Sequence, residues 1–245
     1  MSRTPRIYVD RPLLEGADID PGERAEKHLV KVLRLRTGAP VTVFDGRGHE
    51  HSATLIAPGR ATLLRIGPPV DAVPESALGI CLIQGISRGE RMDLVIQKAT
   101  ELGVTEIRPV TTRRSVVKLD EKRRDRKLDH WRSIAISACE QCGRATLPTL
   151  RRPGGLDEAL TDLPPDTTRL MLEAHGSPRA LVSEADRLVL LVGPEGGLSE
   201  AEKKTALAKG FQPFTLGPRV MRTETAALVA LAVAQTLWGD FRPRG

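Results

Sequence analysis

The chain runs to 245 residues, 40% hydrophobic and 28% charged, with 37 Lys and Arg against 31 Asp and Glu and a formal net charge of +6. That length holds one large or two modest domains, each able to bury its own core, and the basic balance suits a polyanionic partner such as nucleic acid as well as it suits a soluble enzyme with a basic surface. Only 3% of the residues are aromatic, which argues against a base-stacking RNA platform and leaves any RNA contact to Arg and Lys.

Met1 to Tyr8 contains no apolar stretch of the kind a secretion signal needs. Ile7-Tyr8-Val9 reads as a short strand. From Glu23 to Arg36 the apolar residues Ala25, Leu29, Val32 and Leu33 fall at helical spacing, with Gly38 as the stop. Val41–Phe44 and Ala53–Ile56 read as hairpin partners about an Asp45-Gly46 turn, and Ala61–Ile66 follows as another strand. Several short strands with one helix suggest a small barrel over residues 1–70. Residues 67–78 hold three prolines and a glycine, so regular structure is disfavoured there, and a linker is placed at 71–78.

From Gly79 onward strands and helices alternate. Gly79–Ile86, Glu106–Val110, Arg169–Glu173, Arg187–Val192 and Phe211–Leu216 read as strands. Arg91–Gly103, Glu121–Gly143, Ser199–Lys209 and Thr223–Trp238 read as helices. The alternation predicts an α/β domain over 79–245, with a parallel sheet covered on both faces.

Two strand-end turns carry most of the chemical information. The first is Gly193-Pro-Glu-Gly-Gly197, after the apolar run Leu188–Val192 and before Ser199 and Glu202, which match a capping box. Its glycines permit a sharp turn and close approach to a ligand, although a plain strand-to-helix loop accounts for it equally well. Leu198 stands where a P-loop needs Lys, and the glycine spacing does not fit the dinucleotide fingerprint. The second turn, Leu216-Gly-Pro-Arg-Val-Met-Arg-Thr-Glu224, brings Arg222, Thr223 and Glu224 to the start of a helix. Arg222 and Glu224 fit either an ordinary surface pair or a device for placing an anion and stabilising developing charge. Ala226–Ala234 is apolar all round, too short to span a bilayer and suited to burial on several sides. Arg88 and Arg91, at a strand-to-helix junction, are placed to touch a ligand or RNA. The basic run Lys122–Lys127, with Arg113, Arg114 and Lys118, suits phosphates or a solvated helix face. Cys139-Glu-Gln-Cys142 has metal or redox spacing but no second pair, so no metal site is expected, and Gln141 and Arg144 are candidate RNA contacts. Three cysteines argue against a disulfide framework. A cytoplasmic location with no membrane partner is expected.

Leu191–Ser199 and Leu216–Ala226 together resemble the RsmE family of the SPOUT superfamily, bacterial methyltransferases of uridine N3 in small-subunit (16S) rRNA. Ser87–Arg91, Gln97–Gly103, Ala138–Arg144 and His28–Arg34 fit the same family. The resemblance implies a PUA-like RNA-binding barrel, followed by a parallel sheet whose C-terminal segment is tucked into a trefoil knot. It also implies a homodimer and S-adenosylmethionine as cofactor. The cofactor would be held by Leu172, Glu173, Gly193, Pro194, Glu195, Gly196, Gly197, Leu216, Gly217, Val220, Met221 and Thr223. Arg222 and Glu224 are the catalytic candidates, for base charge and the N3 proton. Arg6, His28, Arg34, Arg88, Arg91, Gln141 and Arg144 are the RNA-binding candidates. The rivals are a non-catalytic RNA-binding protein and a SPOUT enzyme acting on another RNA or atom.

Overall fold

The computed structural model describes residues 4–57, 62–117, 119–175 and 184–241; Ala61 and Lys118 lie outside them. The chain divides into two compact units, one of residues 1–75 with 136–147 and one of 76–135 with 148–245. The segment 136–147, which sequence alone placed with the larger domain, therefore belongs to the smaller unit.

In the smaller unit the elements are β1 (Arg6–Tyr8), β2 (Asp18–Ile19), α1 (Glu23–Glu26), a π-helical stretch (Lys27–Val32), β3 (Pro40–Phe44), β4 (Glu50–Ala57) and β5 (Leu63–Pro69). The strands form one sheet in the order β1-β3-β4-β5-β2, parallel between β1 and β3 and antiparallel elsewhere. Backbone ladders do not join β1 to β2 among the described residues, so the expected barrel is not closed by strand pairing. Asp45 fixes the β3–β4 turn: its carboxylate accepts from the Arg47 N–H at 2.7 Å and lies 2.7 Å from His49 Nδ1. The helix expected over 23–36 is shorter and changes pitch. Leu33 N–H bonds back to the His28 carbonyl at 2.9 Å, one residue further than in an α-helix, and Arg34 ends it with φ 53°. The wider turn keeps Ala25 and Leu29 in the core while Val32, expected inward, is 62% exposed.

The same unit places two of the RNA-contact candidates in internal ion pairs. Arg6 and Arg144 were candidates for RNA contact, but both side chains are buried in ion pairs. The Arg6 guanidinium donates to both Glu50 oxygens (3.0 and 2.7 Å) and to the Cys139 carbonyl (2.6 Å), and it lies 4.8 Å from the Phe44 ring centre. Arg144 donates to Glu75 at 2.6 Å. Guanidinium forks committed to internal carboxylates hold 136–147 in place.

The larger unit contains β6 (Gly79–Gly85), α2 (Glu90–Glu101), β7 (Glu106–Thr111), α3 (Glu121–Cys142, its last turns in the smaller unit), β8 (Thr149–Leu150), β9 (Gly154–Gly155), α4 (Leu156–Ala159), β10 (Thr168–Leu172), β11 (Arg187–Val192), α5 (Glu200–Ala208), β12 (Gln212–Phe214) and α6 (Thr223–Trp238). Its sheet runs β12-β10-β11-β6-β7-β8, with β9 also on β7, and every pairing is parallel. Side chains alternate between the faces of a strand, so the apolar runs of β6 and β11 serve two cores. Ile80, Leu82, Leu188, Leu190 and Val192 pack with residues of α2, α3 and α6. Cys81, Ile83, Val189 and Leu191 pack with residues of α4 and α5. This double burial is why these strands read as continuous apolar stretches. Burial and the Glu106 carboxylate together push the Cys81 thiol up to about 12, so it behaves as a small apolar group.

The C-terminal ends of β6, β10, β11 and β12 share one edge, and there the backbone is crowded. A Cβ on Gly85 would collide with the Pro194 nitrogen and sit 2.8 Å from the Gly193 carbonyl carbon. Gly85→Ala is expected to destabilise the larger unit by about 2 kcal/mol, read as a lower urea midpoint in chemical denaturation; an unchanged midpoint contradicts the close approach.

Candidate active site

Three turns leave this edge. Glu173–His175 follow β10, Gly193–Gly197 follow β11, and Thr215–Arg222 lead from β12 into α6. Together they line a cavity of about 680 Å³. Every residue expected to hold the cofactor lines it: Leu172, Glu173, Gly193 to Gly197, Leu216, Gly217, Val220, Met221 and Thr223.

The two principal turns are joined by buried hydrogen bonds. Thr223 Oγ1 donates to the Gly193 carbonyl at 2.6 Å and accepts from Gln84 Nε2 at 3.0 Å. Thr223 is the first residue of α6, and its hydroxyl crosses to another strand end, while Arg222 occupies the N-cap position with no side-chain cap bond. Gly197 and Gly217 have φ of 68° and 71°, and a Cβ on either would meet nothing within 4 Å. Both therefore combine a conformation that favours glycine with open space at the cavity wall.

The helix after the first turn begins with the capping box that the sequence predicts. Ser199 N–H donates to Glu202 Oε2 at 2.7 Å, and Glu202 N–H donates to Ser199 Oγ at 3.4 Å. Glu202 also accepts from the Arg113 N–H at 2.7 Å. Burial alone would raise its carboxyl, but the donors at Arg113 and Ser199 outweigh burial and hold it below the usual carboxylate value of 4.5. Glu195 behaves alike: burial pushes it up, while its own backbone N–H, that of Arg88 and the Arg91 guanidinium bring it below 4.5. Arg114 Nη1 donates to the Gly196 carbonyl at 3.1 Å, and Lys203 Nζ lies 3.4 Å from Glu173.

Of the two catalytic candidates, Arg222 lines the cavity and Glu224 does not. Glu224 is 8% exposed, and its Oε2 is buried with no hydrogen-bond partner among the described residues. A group that takes a proton must reach its donor, so in this geometry Glu224 stands behind the wall rather than on it. Arg91, grouped above with the RNA contacts, lines the cavity and bonds Glu195 at 2.9 Å. Arg88 is exposed beside it, with its N–H on Glu195 at 3.1 Å. In the smaller unit Arg34 and Gln141 are exposed and His28 is half-buried. Sequence reasoning missed Gln84, Lys203 and His175, and it grouped Arg114 with the basic run rather than with this cavity. A lone polar residue inside the apolar run Ile80–Ile86 was the available signal for Gln84; His175 carries none in its local pattern.

A family model described as an RNA methyltransferase domain matches residues 74–235, and one described as an RNA methyltransferase PUA domain matches residues 25–64. A ribosomal RNA small subunit methyltransferase E from Neisseria gonorrhoeae, solved bound to S-adenosyl methionine, is 41% identical. It superposes with a TM-score of 0.93, over 98% of this chain and 100% of that one. A methyltransferase from Legionella pneumophila, solved with the bound cofactor SAM, is 39% identical with a TM-score of 0.93 over the same shares. The ribosomal RNA small subunit methyltransferase E of Synechocystis is 34% identical over 219 residues, 86% of this chain and 70% of its own.

Two outcomes follow from the geometry. Thr223→Val keeps the shape but takes the hydroxyl donor from the Gly193 carbonyl and leaves the Gln84 amide only its bond to the Gly85 carbonyl, a loss of about 2 kcal/mol in urea denaturation. Glu202 contributes stability that is complete above its unfolded value near 4.5 and is lost as pH falls through its lower folded value. Glu202→Gln is therefore expected to lower stability at neutral pH and to flatten its fall below pH 4.5; equal acid slopes in the two proteins would contradict the assignment.

Proposed function

Because the chain belongs to the ribosomal RNA small subunit methyltransferase E family, we propose that it transfers a methyl group from S-adenosylmethionine to N3 of a specific uridine in small-subunit (16S) rRNA. The observation that carries the reading is the convergence of three strand-end turns on one cavity, with Arg222 on its wall. The cavity suits the cofactor by size and by lining. About 680 Å³ is within the usual range for small-molecule sites. Apolar Leu172, Val192 and Leu216 and the open backbone of the glycine turns offer contacts for a ring and its polar edge. Glu173 and Glu195 supply negative charge for a cationic ligand.

When bound, S-adenosylmethionine supplies a methyl group already made electrophilic by the sulfonium. The protein's share is therefore positioning, electrostatics and removal of the N3 proton. N3 is paired in a helix, so the uridine must be unpaired or splayed out to react. Arg222 is fixed at the first position before α6, and its guanidinium stabilises the negative charge of the deprotonated base. Glu224 is excluded from direct proton transfer in this reading, because its carboxylate does not reach the cavity. In the smaller unit the direct RNA contacts narrow to His28, Arg34 and Gln141, with Arg88 in the larger unit.

Two further family properties belong to the proposal. The trefoil knot is supported by the chain path: residues 215–222 leave the edge strand β12 and return to the middle of the sheet, where Thr223 bonds Gly193 and Gln84. The homodimer is supported by α6, apolar along its length yet half-buried at Leu228, Val229, Ala232 and Val233 and 41% exposed at Leu237. The cytoplasm, where small subunits are made, is the proposed site of action.

Arg222→Ala is expected to lower methyl transfer to unmethylated small subunits by about a hundredfold or more, with S-adenosylmethionine binding retained in calorimetry. Near-normal turnover would remove Arg222 from the reaction. Mapping the labelled nucleotide tests the substrate: label on tRNA, on large-subunit RNA or on a ribose oxygen would overturn the assignment. A folded wild-type protein that binds no S-adenosylmethionine would favour a non-catalytic RNA-binding role.

A further inference from the structure

Glu224 presents a problem that neither the cavity nor the reaction explains. Its side chain is 10% exposed, and among the described residues one cation stands within 4 Å: Arg91, with Nε 3.9 Å from Oε1. The other oxygen is shielded and has no hydrogen-bond partner among the described residues. A buried carboxylate in such a place costs several kcal/mol unless a cation compensates it. Arg91 is also engaged on its other side, where Nη1 meets Glu195 Oε1 at 2.9 Å. Glu195 belongs to the cavity turn and takes a second bond, from the Arg88 N–H at 3.1 Å. One guanidinium in the first turn of α2 therefore stands between a carboxylate in the first turn of α6 and a carboxylate in the turn after β11.

We propose that Arg91 is a positioning residue that locks the turn Gly193–Gly197 to the start of α6 through the line Glu195–Arg91–Glu224, and that it acts on the methyl donor's site rather than on RNA. The fork geometry matters. Two carboxylates face different nitrogens of one rigid plane, Glu195 in a hydrogen bond and Glu224 at ion-pair distance, and the shorter, point-charged lysine ammonium lacks that planar spread. Arg91 thus complements the Thr223–Gly193 bond: the hydroxyl ties the backbones of the two turns, and the guanidinium ties their carboxylates. Glu224 is the anchor of this line, which accounts for a buried charge that lies off the cavity wall.

The inference about the donor rests on the proposed function; the inference about the charge line does not. Arg91→Met, Arg91→Lys, Glu224→Gln and the Arg91→Met/Glu224→Gln pair separate the two. Removing the cation strands the Glu224 charge, so Arg91→Met is expected to lower the melting temperature, and adding Glu224→Gln to raise it again. A pair that melts lower than Arg91→Met alone would overturn the charge line. In calorimetry with S-adenosylmethionine, Arg91→Met is expected to weaken binding about tenfold, the cost of losing one charged bond on the turn, with Arg91→Lys between it and wild type. Binding to transcribed small-subunit rRNA is expected to keep its slope against salt. An RNA contact at Arg91 predicts the opposite pattern: donor affinity unchanged and the slope reduced by about one phosphate. That result would overturn the positioning role. Should Arg91→Met not fold, the lysine variant gives the same comparison, since an RNA contact is kept by lysine and the planar fork between the two carboxylates is not. Wild-type protein that binds no donor would sink the functional reading and the donor half of this one, leaving the melting comparison to judge the charge line.

Discussion

The Thr223 hydroxyl donates to the carbonyl of Gly193 and accepts from the amide of Gln84, with Thr223 7% exposed and Gln84 wholly buried. Those three residues come from the start of α6, the turn after β11 and the end of β6. Hydrogen bonds inside a low-dielectric interior are costly to leave unmade, so the chain leaving β12 is obliged to return to the centre of the sheet. Its return builds the cavity: Leu216 to Arg222 become a wall facing Gly193 to Gly197. The apolar face of α6 reinforces it, with Ala227, Ala230, Leu231 and Ala234 packed into the core beneath α2. A small hydroxyl therefore sets the register of the site, and the hydrophobic core fixes the helix that carries it.

Much of this was legible in the sequence because it depends on local pattern. Apolar runs ended by Gly and Pro mark buried strands that turn abruptly, and Ser199 with Glu202 marks a helix start; those signals alone located the principal turns. What escaped depends on partners far away in the chain. Nothing near Arg6 or Arg144 announces that Glu50 and Glu75 will neutralise them, and charged residues are by default read as exposed. Glu224 looked like a partner of Arg222 because the two are only two residues apart in sequence, but helix geometry turns Glu224 inward to Arg91. The stretch Lys27–Val32 kept its helical spacing on paper while the wider π turn moved Val32 out to solvent. The two-residue strands β2, β8 and β9 are too short to carry a period at all.

The smaller unit follows a different logic from the larger one. Its sheet core of Ile7, Val41, Val43, Leu55 and Leu64 is ordinary apolar packing. The segment 136–147, by contrast, is held largely through polar groups: Arg6 on the Cys139 carbonyl, Glu140 on the Tyr8 N–H, and Arg24 on Glu140. Burial raises the Glu140 carboxyl, and Arg24 and the Tyr8 N–H only partly offset this. Cys139 is buried in the same place, its thiol pushed up by the hydrogen bond with Cys142 and by burial, so it is a packing group rather than a nucleophile. The cysteine pair is thus part of how a helix end is seated.

The central strand β11 has a consequence for how the molecule comes into being. Arg187–Val192 pair with Gly79–Gln84 on one side and with Thr168–Met171 on the other, so β11 enters a slot whose walls are already in the chain before it. Pairings between segments so far apart must overcome loop-closure entropy before they stabilise anything. The turn that follows β11, and the helix whose hydroxyl bonds it, can settle only after that insertion. The cavity therefore depends on the fully assembled sheet, and a ligand bound there selects the finished molecule and adds its binding free energy to the whole.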